Sequence, residues 1–165
     1  MMLTSFEPVV NQETTTLIIG TMPGVASLKV QEYYGNKRNA FWTLLFDILG
    51  ERPTELTYPE RLDVLLKHQI GLWDSLAACE REGSLDSNIR KGVPNDFPAL
   101  FLRYPSINRL LFNGKNSFQF YVQAYGVPEA MEYHLLPSTS PANAMKNYAE
   151  KKLLWQKALD KITLF

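Results

Sequence analysis

The apolar positions divide the chain into short strand-like runs alternating with helical stripes. Residues 14–19, Thr-Thr-Thr-Leu-Ile-Ile, are β-branched and apolar and predict a buried strand. That run leads straight into Gly20-Thr21-Met22-Pro23-Gly24. Gly20 and Gly24 let backbone lie close to a ligand, while Pro23 fixes its own φ and holds Met22 extended. After an irregular stretch over 33–39, residues 40–49 predict a helix, with Asn39 suited to the N-cap and Gly50 to its end. A shorter helix is expected over 59–68, with proline in its first turn and a Leu62/Leu65/Leu66 stripe. Residues 70–74 predict a second strand, followed by a polar run over 80–88 and a short helix over 96–104. A third strand, 108–114, ends on Gly114, and the helix after it, 115–125, stops at Gly126. A fourth strand, 132–136, ends at Pro137-Ser138-Thr139-Ser140-Pro141. The closing helix is expected over 143–162, with Tyr148, Leu153, Leu154 and Trp155 on its apolar side. Strands alternating with helices imply right-handed crossovers. The expectation is an α/β fold: a three-layer α/β/α sandwich with a small four-stranded parallel sheet, in one domain over 1–165, led in by a polar segment over 1–13.

Composition narrows the function classes. A chain of 165 residues with 45% hydrophobic content can build a sizeable core. Lys+Arg and Asp+Glu balance at 17 each, so any nucleic-acid-binding surface must be a local basic rim. Lys37, Arg38, Lys115 and Lys146 lie beside the predicted loops and supply one. Cys79 is the sole cysteine, which excludes an internal disulfide framework and a cysteine-based metal or iron–sulfur site. His68 and His134 fall in a helix and in mid-strand, so no metal is expected. The start lacks a basic, apolar leader and no run approaches a membrane span. These features predict a soluble, cytoplasmic protein, expected to act as a monomer and without a membrane partner.

If the strands are parallel, Gly20–Gly24, Asn113-Gly114 and Pro137–Pro141 meet at one sheet edge, with the aromatic and polar segment 33–42 between them. Ligands bind there in open α/β sheets. The edge offers amides, hydroxyls, backbone N–H groups and rings. It lacks a Ser/His/Asp grouping and a phosphate-cradling GK[ST] run. Such groups suit a flat polar heterocycle and an oriented water.

GTMPG after the first strand, YYGNKRNAFW next, FNGK after a later strand and LPSTSPAN near the end occur in this order. Together they resemble the uracil-DNA glycosylase superfamily, most closely its hypoxanthine-DNA glycosylase (DNA-deoxyinosine glycosylase) branch. The resemblance runs from about Leu17 to the final helix. It implies a four-stranded parallel sheet flanked by helices, no cofactor, and a monofunctional enzyme of base excision repair that flips a deaminated base from DNA and hydrolyses its N-glycosidic bond. Hypoxanthine is the first substrate implied. A mismatch-type uracil/thymine glycosylase and a non-catalytic nucleic-acid-binding module on the same fold are the alternatives.

Site residues follow from the same resemblance. Relatives that read GINPG hold the attacking water on the Asn, where this chain has Met22. Asn39 is therefore the candidate catalytic residue, against a plain helix cap. Tyr34 falls where relatives stack an aromatic on the extruded base, and Asn113 can present a donor and acceptors to a base edge. Gly20 and Met22 complete the base-binding group. Ser138, Thr139, Ser140, Asn143 and Lys115 are the expected DNA contacts. Leu136 stands where uracil-specific enzymes carry a catalytic His in HPSPLS, which points away from uracil and toward a purine. Asp74, at the end of the second strand, is a possible accessory contact or base, or else a cap for the following turn.

Overall fold

The computed structural model describes residues 1–141 and 146–163, with side chains to residue 160. Its centre is a parallel sheet of four strands: β2 (Thr16–Gly20), β3 (Ile70–Asp74), β6 (Arg109–Asn113) and β7 (Glu132–Leu136). Their spatial order is β3-β2-β6-β7, with Ile18 opposite both Leu72 and Leu111. Alternate residues of each strand face opposite layers. Ile18, Leu72 and Leu111 pack with Phe41, Leu44 and Leu45 of α2 (Phe41–Leu49), Leu65 of α3 (Tyr58–Lys67) and Trp155 of α6 (Tyr148–Thr163). Leu17, Ile19, Leu110 and Phe112 pack the other way, with Phe97 and Leu100 of α4 (Phe97–Arg103) and Tyr121 of α5 (Lys115–Tyr125). Two apolar layers on one sheet make the three-layer sandwich that the pattern predicts. Full burial of each large side chain contributes roughly 1.5–3 kcal/mol.

Local signals hold where the chemistry is local. Thr57 and Glu60 form a reciprocal capping box at the start of α3, and Gly50 closes α2 in the left-handed region at φ 75°. The first strand begins at Thr16, two residues later than the β-branched run suggests. Thr14 instead closes a turn, its hydroxyl accepting from Asn11 N–H at 3.0 Å. Among the described side chains of α6 the buried ones are Lys151, Trp155, Ala158 and Leu159, while Leu153 and Leu154 are exposed. The 143–162 expectation thus had the helix rotated, because a two-leucine run reads as apolar on any face. Its first residues, including Asn143, lie outside the described residues.

A second sheet was not anticipated. β1 (Met2–Thr4), β4 (Leu76–Glu80) and β5 (Arg90–Pro94) form an antiparallel sheet in the order β1-β4-β5. β3 and β4 are separated by Ser75 alone, so nearly one strand serves both sheets. Ser75 N–H donates to Gly20 C=O at 2.7 Å and Leu76 N–H to Thr21 C=O at 3.2 Å across that joint. A short helix, α1 (Val25–Val30), also follows the first loop. Among the described residues, no helix is long and apolar enough to cross a membrane.

Gly71 shows how tightly the lead-in packs on the sheet. A Cβ there would stand 2.6 Å from Val9 C=O and 2.9 Å from a Val10 methyl. Val9 bridges Leu72 through both backbone groups at 2.9 Å, so it cannot move aside without breaking them. Gly71→Ala should destabilise the protein by about 1–3 kcal/mol in denaturant titration, an overpacking penalty.

Candidate active site

The carboxyl ends of β2, β3 and β6 converge with the 137–140 loop that follows β7. Asn113, the last residue of β6, is 7% exposed and uses both ends of its amide. Its Nδ2 donates to Thr139 Oγ1 at 3.0 Å and to Tyr34 Oη at 3.3 Å, while its Oδ1 accepts from Thr139 N–H at 3.0 Å. Thr139 is 1% exposed. This corrects the expectation that its hydroxyl meets DNA: the residue faces inward and orients Asn113. Ser138 and Ser140 are half-buried, and Ser138 Oγ accepts from Ser140 N–H at 3.1 Å.

Thr139 also reaches the segment after α1. Its C=O accepts from Ala40 N–H at 3.0 Å, which anchors the residues carrying Asn39. Asn39 is half-buried, and its Oδ1 accepts from Phe41 N–H at 2.9 Å. That bond does not make Asn39 the cap expected of it, since the N-cap of α2 is Ala40 without a side-chain hydrogen bond, and it leaves the Asn39 amide nitrogen and one oxygen lone pair for a water. Tyr34 sits at φ 55°, a left-handed conformation uncommon for an aromatic residue. Its ring stacks on Phe41 with centroids 3.9 Å apart and planes 16° from parallel. Burial pushes its phenol well above the ordinary range, with Asp74 adding to the shift, so it stays a neutral hydroxyl.

Gly20 closes the floor. A Cβ on Gly20 would stand 2.6 Å from Asp74 Oδ1 and 3.0 Å from Tyr34 Oη, so only glycine admits this convergence. Asp74 is 4% exposed, and burial together with the Asp86 carboxylate raises its carboxyl to about 7, against the Arg81 charge. Met22, grouped above with the base-binding residues, is brought to the same strand end. Its side chain, however, packs with Leu76, Cys79 and Ile89 between the two sheets.

Sequence reasoning missed the strap formed by the polar run after β4. Arg81, 9% exposed, donates from Nη2 to Pro23 C=O at 2.8 Å and from Nε to Gly83 C=O at 2.7 Å. Ser84 Oγ accepts from Val25 N–H at 2.9 Å. The strap thus fixes the GTMPG loop from outside. An arginine amid glutamates, glycine and serine carries no signal of burial in the sequence. Lys37, Arg38, Lys115 and Lys146 are all exposed. Asn143 lies outside the described residues. His68 is exposed, and His134 contacts Glu132 at 2.7 Å, away from these strand ends. Among the described residues, no group of His, Cys, Asp or Glu could hold a metal ion.

The carboxyl ends of this parallel sheet thus gather a locked amide, a stacked phenol and a buried carboxyl in one α/β domain. The model of the uracil DNA glycosylase superfamily matches residues 7–162, and the chain belongs to that superfamily. It is 37% identical over 155 residues to a hypoxanthine DNA glycosylase of Methanosarcina barkeri, covering 93% of this chain and 95% of that one. A hypoxanthine DNA glycosylase of Methanosarcina acetivorans is 36% identical over 143 residues, covering 87% and 89%. A Methanosarcina acetivorans chain solved in solution by NMR, provisionally named a uracil DNA glycosylase, superposes with a TM-score of 0.83 at 32% identity over 99% of both chains.

The Asp74 shift has a consequence for stability. The unfolded carboxyl ionises near 3.8 and the folded one near 7, so the folded state holds the extra proton between these values. This contribution is therefore full below the lower value and lost as pH rises through the upper one. Asp74→Asn, neutral throughout, should melt like the parent near pH 3 and above it near pH 8, by the equivalent of up to about 4 kcal/mol. Thermal melts of both proteins at the two pH values check this.

Proposed function

We propose that the chain is a monofunctional DNA glycosylase that flips a deaminated base out of DNA, hypoxanthine of deoxyinosine foremost, and hydrolyses its N-glycosidic bond. The observation that carries this reading is the convergence of Asn113, Tyr34 and Asn39 through Thr139 at the strand ends. Superfamily membership and two relatives named hypoxanthine DNA glycosylase support it.

In this reading the Tyr34 ring, backed by Phe41, stacks on the extruded base, for which any purine face suffices. Asn113 gives up its 3.3 Å contact with the Tyr34 hydroxyl, the longest of its three, and turns that donor to the base edge. The bare backbone of Gly20 lets the base approach. Asn39 holds the attacking water. An amide is a weak base, but loss of a base through an oxocarbenium-like state needs chiefly positioning and charge stabilisation. The hydroxyls of Ser138 and Ser140 and the cations Lys115, Lys37 and Arg38 meet phosphates, and the same DNA role is assigned to Asn143. No cofactor takes part, and the protein works as a monomer in the cytoplasm.

Incubation with duplex oligonucleotides containing deoxyinosine or deoxyuridine, followed by alkaline cleavage of abasic sites, tests the reading. Excision of hypoxanthine is expected, and binding without cleavage of either duplex overturns it. Asn39→Ala should slow single-turnover excision by roughly 100-fold while DNA affinity changes little; equal loss of both would reduce Asn39 to a structural role. Asn113→Ala should change the preference for inosine over uracil, and an unchanged ratio would remove its recognition role. Affinity should fall steeply with added salt, as phosphate contacts require.

A further inference from the structure

Asp74 has no part in the scheme above, yet its carboxyl is enclosed at the strand ends. Its carboxyl and the Tyr34 hydroxyl converge over Gly20, in space that exists only because Gly20 lacks a Cβ. Its Oδ2 is buried and has no hydrogen-bond partner among the described residues. A buried polar atom left unpaired calls for an explanation. The nearby cation does not supply one. Arg81 commits Nε and Nη2 to the carbonyls of Gly83 and Pro23 and forms no ion pair with Asp74. Around the carboxyl stand Asp86 and Arg81 from the strap, Tyr33 and Tyr34 from the segment after α1, and Tyr58 from α3. Burial and the Asp86 charge keep the proton on Asp74 close to neutrality, so its free oxygen is a donor in waiting.

We propose that Asp74 is the general acid of the reaction, donating its carboxyl proton to N7 of the extruded purine as the glycosidic bond breaks. The inference rests on the glycosylase reading. The C1′–N9 bond breaks with its electron pair on the base, and the Asp74 proton passes to N7, so hypoxanthine departs neutral. The water held by Asn39 forms the new C1′–O bond, and the proton it sheds returns through solvent to the Asp74 carboxylate. One water is consumed and the enzyme is restored. Such an acid accounts for a site with Leu136 where relatives carry an anion-stabilising histidine: a base leaving neutral needs no anion stabiliser.

The test is single-turnover excision from deoxyinosine duplex between about pH 5 and pH 9, for the parent and Asp74→Asn. The parent rate should fall as pH rises through about 7. Asp74→Asn should be about 100-fold slower at pH 6 and lose that alkaline fall, within the range of general-acid effects. It should still bind a duplex carrying uncleavable 2′-fluoro-deoxyinosine within about threefold of the parent, as a proton-transfer role predicts. Two substrates probe the proton directly. The parent should be as slow on 7-deaza-deoxyinosine, which lacks the accepting nitrogen, as Asp74→Asn is on deoxyinosine. On N7-methyl-deoxyinosine, whose base already carries the positive charge, Asp74→Asn should match the parent. A variant with the parent's rate and pH profile, or a parent that excises 7-deaza-hypoxanthine at full rate, overturns the proposal. If Asp74→Asn does not fold, the parent decides by two readings together: slow excision of 7-deaza-deoxyinosine and a deoxyinosine rate that falls through about pH 7, the absence of either overturning the proposal. A parent inert on deoxyinosine overturns the glycosylase reading itself, whereas an active parent matched by Asp74→Asn overturns only the role of Asp74.

Discussion

The pairing of the Asn113 amide with Thr139 is the interaction on which the rest of the site depends. It ties the end of β6 to the loop after β7 through two hydrogen bonds of 3.0 Å, both shielded from water. Breaking one would strand a buried amide, at a cost of about 1–3 kcal/mol. From Thr139 the order spreads outward. Its carbonyl anchors Ala40 and so places Asn39, while the second Asn113 donor reaches Tyr34 and so places the ring. Remote segments are thus aligned by a single buried threonine. The loop is best understood as a bracket, with its serines half-buried and its threonine inward.

The first loop is held by a different logic. Its strand end is crowded from within by Asp74 and Tyr34 and strapped from outside by Arg81 and Ser84. Met22 is drawn into the apolar seam it shares with Leu76, Cys79 and Ile89. The polar side chains gathered at this edge therefore come from neighbouring strand ends rather than from Met22.

Much of this was legible in the residues. Strands punctuated by Gly20, Gly114 and Pro137 announce themselves through apolar runs that end abruptly, and the parallel sheet follows from their alternation with helices. The candidate residues on those punctuated ends could be named for the same reason. The second sheet could not. Every residue of β5 is exposed, and β4 mixes buried and half-buried positions, so neither carries a clean period-two signal. Their pairing is set by partners distant in sequence. Burial of Arg81 and the isolation of Asp74 are likewise tertiary facts: nothing near either residue says where a guanidinium will be anchored or which oxygen will go unpaired. The inward turn of Thr139 was hidden because a serine–threonine–serine run gives no phase.

Ser75 joins the two sheets through one residue, with its own amide and that of Leu76 stitched to Gly20 and Thr21. A strand shared in this way makes the sheets a single mechanical body, unable to slide or hinge against each other without tearing those stitches. On the glycosylase reading, a duplex laid across this edge would meet an anvil rather than a jaw. The kinking that brings a nucleotide out of the stack must then be accommodated by the DNA, and sequences that bend easily would yield their damaged base soonest.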